Sequence, residues 1–80
     1  MKRTLAVRVY NESGVLTRVA SVFSSRGYNI DSIAVGSTET YGVSRIIIIL
    51  PANAQKIEQV TKQLNKLIQV IEVNDITERA

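Results

Sequence analysis

The residues best suited to chemistry in this chain stand together in one short stretch, Asn11-Glu12-Ser13-Gly14. An amide, a carboxylate, a hydroxyl and a glycine lie between an alternating apolar run and one with helical spacing. An asparagine side chain offers both donors and an acceptor to the charged ends of a small zwitterion. A helix beginning after Gly14 leaves N–H groups free in its first turn, which suits a carboxylate. The glycine itself lets a ligand or a second chain approach the backbone closely. The same four residues are equally ordinary turn and cap vocabulary, so spacing alone leaves both readings open.

Catalysis has little else to draw on. The chain has no histidine and no cysteine, which removes disulfides, thiol chemistry, ordinary zinc sites and imidazole acid/base work together. The carboxylates Glu12, Asp31, Glu39, Glu58, Glu72, Asp75 and Glu78 are spread over different elements, and nothing pairs them into an acid/base couple. Glycine patterns of the Walker, dinucleotide-binding and nucleophile-elbow types are absent. We therefore expect no catalytic residue, no metal and no cofactor. The ten basic residues are scattered and the net charge is only +3, so no nucleic-acid footprint stands out. The apolar run Ile46 to Leu50 is far too short to span a bilayer. Alternation, not an apolar signal region, follows Met1-Lys2-Arg3. A soluble, cytoplasmic protein without a nucleic-acid or membrane partner is the expectation.

Six elements must position the loop. Thr4 to Tyr10 alternates, with Leu5, Val7 and Val9 on one face, and reads as a strand. Val15, Leu16, Val19, Val22 and Phe23 then fall at helical spacing, with Ser13 placed to cap the start and Gly27 to close the end in a left-handed turn. Tyr28 to Ser37 alternates again, with Ile33 and Val35 in phase. A polar turn, Thr38 to Gly42, leads to a third strand over Val43 to Leu50, stopped by Pro51, and a short loop between strands implies an antiparallel hairpin. A second helix opens at Asn53 or Ala54, with Ile57, Val60, Leu64, Leu67 and Ile68 on one stripe. Gln69 to Thr77 closes the chain as a strand with Ile71 and Val73 inward. The order βαββαβ gives an α+β, ferredoxin-like domain: a four-stranded antiparallel sheet with both helices on one face.

Two alternatives on this topology are weak. RNA-recognition domains stack bases on aromatic side chains of the central strands, and the third strand here has none. Metal carriers of this shape need a Cys-x-x-Cys. Ile46 to Ile49 puts large aliphatic groups on both faces of the sheet, beside Tyr10 and Ala34. A patch of that kind marks an interface, and self-association also supports a thin core in an 80-residue chain.

The wording of two segments is more specific than their residue types. Asn11-Glu12-Ser13-Gly14-Val15-Leu16-Thr17-Arg18-Val19, and then Phe23-Ser24-Ser25-Arg26-Gly27-Tyr28-Asn29-Ile30-Asp31-Ser32, closely resemble the regulatory small subunit of acetolactate synthase (acetohydroxyacid synthase). Ser44-Arg45, Ile57-Glu58-Gln59 and Val73-Asn74-Asp75-Ile76-Thr77 extend the resemblance over nearly the entire chain. It implies an ACT domain that forms a homodimer and binds a branched-chain amino acid, valine first among them, between protomers. It also implies a catalytic large subunit as partner, held under feedback control. The effector site implied is the loop with Asn11, Gly14, Val15 and Leu16 from one protomer and Asn29 and Ile30 from the other. Gly36 is a further position linked to feedback sensitivity. Small subunits of this kind usually continue into a second domain, whereas residues 1–80 read as a single ACT domain. A ligand-free dimerisation module of the same shape is the alternative.

Overall fold

The computed structural model describes residues 1–78. The chain runs β1 (Lys2–Tyr10), α1 (Val15–Ser24), β2 (Ser32–Ser37), β3 (Val43–Pro51), α2 (Ala54–Asn65) and β4 (Val70–Asp75). The strands form one antiparallel sheet in the order β2-β3-β1-β4. Alternation in β1 sends Leu5, Val7 and Val9 to one face, where Ile46, Ile48 and Leu50 of β3 join them. Val15, Val19 and Phe23 of α1 and Ile57, Val60 and Leu64 of α2 cover these from above. The βαββαβ architecture inferred from periodicity is therefore present, with both helices on one face.

Local signals explain most boundaries. The Asn53 side chain accepts the Lys56 N–H at 2.8 Å and starts α2, the bond expected of a good N-cap. Gly27, at φ 72°, ends the α1 segment in the left-handed region, and Tyr28 N–H returns to the Phe23 carbonyl at 2.9 Å, closing the helix in the manner typical of a C-terminal glycine.

Four expectations need correction. The start of α1 is Gly14, at φ 81°, with no side-chain cap, so Ser13 does not cap the helix. The second strand begins at Ser32 rather than Tyr28. After the Gly27 turn, Tyr28 and Ile30 fold back against the core, and the Tyr28 hydroxyl donates to Gln59 Oε1 at 3.1 Å. Strand pairing takes over only where Asp31 N–H reaches the Ile49 carbonyl. In β4 the inward residues are Val73 and Val70, whereas Ile71 is more exposed. The register explains this: Arg8 faces Glu72 but the next residue, Val9, faces Val70. Ile71 is the extra residue of a bulge, and a bulge reverses the alternation on either side of it. Ile68, placed on the α2 stripe by spacing, lies beyond the last helical turn and is 90% exposed.

The apolar surface left bare is also not where β3 alone would place it. Ile47 and Ile49 are half-buried. The bare strand is β2, all six of whose residues are exposed, Ile33 and Val35 among them.

The opposite edge is locked by polar contacts. Arg3 Nη1 reaches Asp75 Oδ2 at 3.1 Å, Thr77 donates to Asp75 from both its N–H and its hydroxyl, and Thr4 N–H donates to the Thr77 hydroxyl at 3.0 Å. Burial works to raise the Asp75 carboxyl, but the Thr77 hydrogen bonds and the Arg3 guanidinium outweigh it and hold the group below its usual range. A depressed carboxyl contributes stability above its unfolded value and loses it as pH falls through the folded one. Asp75→Asn is expected to cost about 1 kcal/mol near neutral pH. Urea unfolding at fixed protein concentration should show that gap beginning to close as pH drops below about 4 and vanishing only below the depressed folded value, where both proteins carry a neutral side chain.

Candidate functional site

The loop between β1 and α1 is pinned by its backbone. Tyr10 N–H bonds the Gln69 carbonyl at 2.9 Å, Asn11 N–H the Gly42 carbonyl at 2.8 Å, and Glu12 N–H the Tyr10 carbonyl at 2.8 Å. This ties the end of β1 to the turn before β3 and to the start of β4, and it leaves the Asn11 amide outside the side-chain hydrogen bonds of the described residues. At the helix start, Val15 N–H is taken by the Glu12 carbonyl and Arg18 N–H by the Gly14 carbonyl. No side chain caps the turn and no acidic residue occupies it. The first-turn N–H groups of Leu16 and Thr17 thus lack a side-chain acceptor, and the positive end of the helix is not neutralised by its own sequence.

A cleft of about 310 Å³ opens beside this turn. Asn11, Gly14, Val15 and Leu16 line it, as the loop's chemistry anticipates. Val35 of β2 and Ser44 of β3 also face it. Sequence reading alone missed these two because they arrive through strand pairing rather than through the loop. Val35 is 53% exposed and Leu16 43%, so the cleft is apolar at its rim and open towards the bare β2 edge. Asn29 and Ile30 are not in it. They line a neighbouring cleft of about 500 Å³ along α1, with Leu16 and Thr17 common to both. Gly36 stands opposite Arg45 in the sheet, outside both clefts. Within one chain the structure therefore joins Asn11 to Leu16, places Asn29 and Ile30 along the adjoining helix flank, and leaves Gly36 apart.

Among the described residues no three metal-ligating side chains come together, and no helix is long and apolar enough to cross a membrane.

Comparison with known proteins bears on what such a cleft is for. The family model described as "AHAS small subunit-like ACT domain" matches residues 5–72. A probable acetolactate synthase small subunit of Archaeoglobus fulgidus is 53% identical over 98% of this chain and 49% of its own length. The acetolactate synthase small subunit of Bacillus subtilis is 51% identical over 100% of this chain and 47% of its own length. Among solved structures, the acetolactate synthase small subunit of Thermotoga maritima superposes with a TM-score of 0.88 at 40% identity, covering 94% of this chain and 47% of that one. The chain thus spans about half the length of the relatives it matches. The ACT domain of a Chlorobium tepidum GTP pyrophosphokinase, 16% identical with a TM-score of 0.81, shares the fold.

The backbone at Gly14 gives a direct test of the loop's conformation. A Cβ there meets no neighbour, but φ 81° is a region L side chains rarely adopt. Gly14→Ala should cost about 1–2 kcal/mol through backbone strain alone. Gly36→Ala, where the space is also open and φ is ordinary, should stay within about 0.5 kcal/mol of the parent. Chemical denaturation of the two variants side by side distinguishes them.

Proposed function

This chain belongs to the family of acetolactate synthase small-subunit ACT domains, and from that premise we propose that it is a non-catalytic sensor of branched-chain amino acids. In this reading two protomers share each effector site. The observation that carries it is the half-built cleft. Asn11, Gly14 and Leu16 line one side of a pocket that opens onto an edge strand paired on one side only. The segment leading into that strand carries Asn29 and Ile30.

An edge strand with free N–H and C=O groups and apolar side chains is a template for pairing with another strand. Ile33, Val35 and Leu16 are all exposed along that border. Pairing of β2 with its copy would bury them and carry the partner's Asn29 and Ile30 towards the Asn11 loop. The uncapped first turn of α1 would take the effector carboxylate. Asn11 and the partner's Asn29 would hold its polar ends, and the apolar rim would receive a branched side chain. Valine is the effector expected first, although one methylene alters binding in an apolar pocket by only about 1–3 kcal/mol. Effector bound between protomers would favour the assembly geometry it fits best, and that differential affinity is how the signal would reach a catalytic large subunit. A second reading, dimerisation without a ligand, draws on the same exposed apolar border. Sedimentation with and without amino acid separates the two.

Calorimetric titration with valine, leucine and isoleucine is the direct test, and a saturable heat is expected with at least one of them. Asn11→Ala should weaken that binding about tenfold, the scale of one hydrogen bond to a charged group, with the fold unchanged. Val35→Lys should dissociate the dimer in sedimentation and remove binding with it. A folded dimer that gives no heat with any of the three amino acids at millimolar concentration would exclude the sensing role.

A further inference from the structure

On the sheet face that carries no helix, a polar row crosses all four strands. Gly36 stands opposite Arg45, Arg45 opposite Arg8, and Arg8 opposite Glu72. Arginines directly facing each other on adjacent strands repel. Among the described residues one of the two is answered: Arg8 Nη1 donates to Glu72 Oε1 at 2.7 Å. Arg45 takes part in none of the ion pairs among the described residues. It is near enough to join Arg8 in depressing the Glu72 carboxyl, an effect led by the Arg8 hydrogen bond. On the far side of Arg45, Gly36 has no side chain, and the space around the position of its missing Cβ is open. The two arginines and Glu72, whose carboxylate is taken up by Arg8, border a cleft of about 260 Å³. Ala6, Ile47 and Ile76 supply apolar wall to it, and Asn74 a polar side chain.

We propose that this cleft is a second binding site, for a small aliphatic carboxylate held by Arg45 together with Arg8, with its hydrocarbon part against Ala6, Ile47 and Ile76. A guanidinium presents a planar fork that matches a carboxylate, and one excess positive charge over an apolar floor calls for one anion with an apolar tail. The volume falls just below the usual range for small-molecule sites, which limits the ligand to a short chain. A second copy of the domain is a poor occupant. Two such faces pressed together would oppose four arginines to two carboxylates, counting Arg8, Arg45 and Glu72 from each. The site lies across the sheet from the Asn11 cleft, so either can fill without obstructing the other.

The test is an NMR titration of the isotopically labelled chain with isobutyrate and acetate, using chloride at matched ionic strength as control. Isobutyrate should give saturable shifts at the Arg8 and Arg45 side chains and at the Ala6 amide, leaving Gly14 unmoved, and should bind several-fold more tightly than acetate because of the apolar floor. Arg45→Gln should weaken isobutyrate binding about tenfold. Glu72→Gln, which releases Arg8 from its internal partner, should tighten it. That opposite sign keeps the test decisive even if Arg45→Gln folds poorly. The proposal is overturned if chloride reproduces the shifts, if folded Arg45→Gln binds like the parent, or if Glu72→Gln weakens binding.

Discussion

The sensing role proposed for this domain depends on a strand that is paired along one edge only. The core draws on β1, β3 and both helices, with Val70 and Val73 of β4 packed against it. The strand β2 hydrogen-bonds to β3 on one side only and keeps all six residues exposed. Its outer edge presents backbone donors and acceptors that no strand among the described residues pairs with, and exposed edges of this kind are either protected or used. Here Ile33 and Val35 add apolar surface to the edge without a charged or proline residue to block pairing. The strand is shaped for use.

The loop beside that edge is built to be both rigid and incomplete. Backbone bonds from Tyr10 and Asn11 to Gln69 and Gly42 fix its position, and Gly14 sets the left-handed entry into α1. Rigidity comes from the main chain, so the Asn11 amide and the first-turn N–H groups of Leu16 and Thr17 lack side-chain partners among the described residues. A Ser13 cap would have satisfied part of that turn internally. Its absence leaves the turn without a side-chain acceptor. The opposite face of the sheet follows a comparable logic, since Glu72 answers Arg8 and no ion pair among the described residues answers Arg45.

Much of this was legible in the residues. Alternation in β1, helical spacing in α1 and α2 and the aliphatic run of β3 before Pro51 carry the element order, and three residues of the Asn11-Glu12-Ser13-Gly14 loop line the cleft. What was not legible depended on partners distant in the chain. The bulge at Ile71 follows from the register of β4 against β1, and no pattern within β4 encodes it. Tyr28 and Ile30 alternate like strand residues, yet packing against the core and Gln59 overrides that tendency. Val35 and Ser44 reach the cleft through pairing with β3 and β1. The four isoleucines of β3 pointed to a sticky face, but half-burial of Ile47 and Ile49 moves the exposed apolar surface to β2.

The central claim is that each effector site takes Asn11 from one protomer and Asn29 from the other. Mixing Asn11→Ala and Asn29→Ala proteins, each weakened in binding, allowing the protomers to exchange, and measuring branched-chain amino-acid binding by calorimetry at a concentration too low to fill the weakened sites tests this most directly. A shared site predicts that the mixture regains binding at about a quarter of all sites, because random exchange makes half the dimers mixed and each mixed dimer holds one intact site. A mixture that binds no better than its two components, with exchange verified, would contradict it.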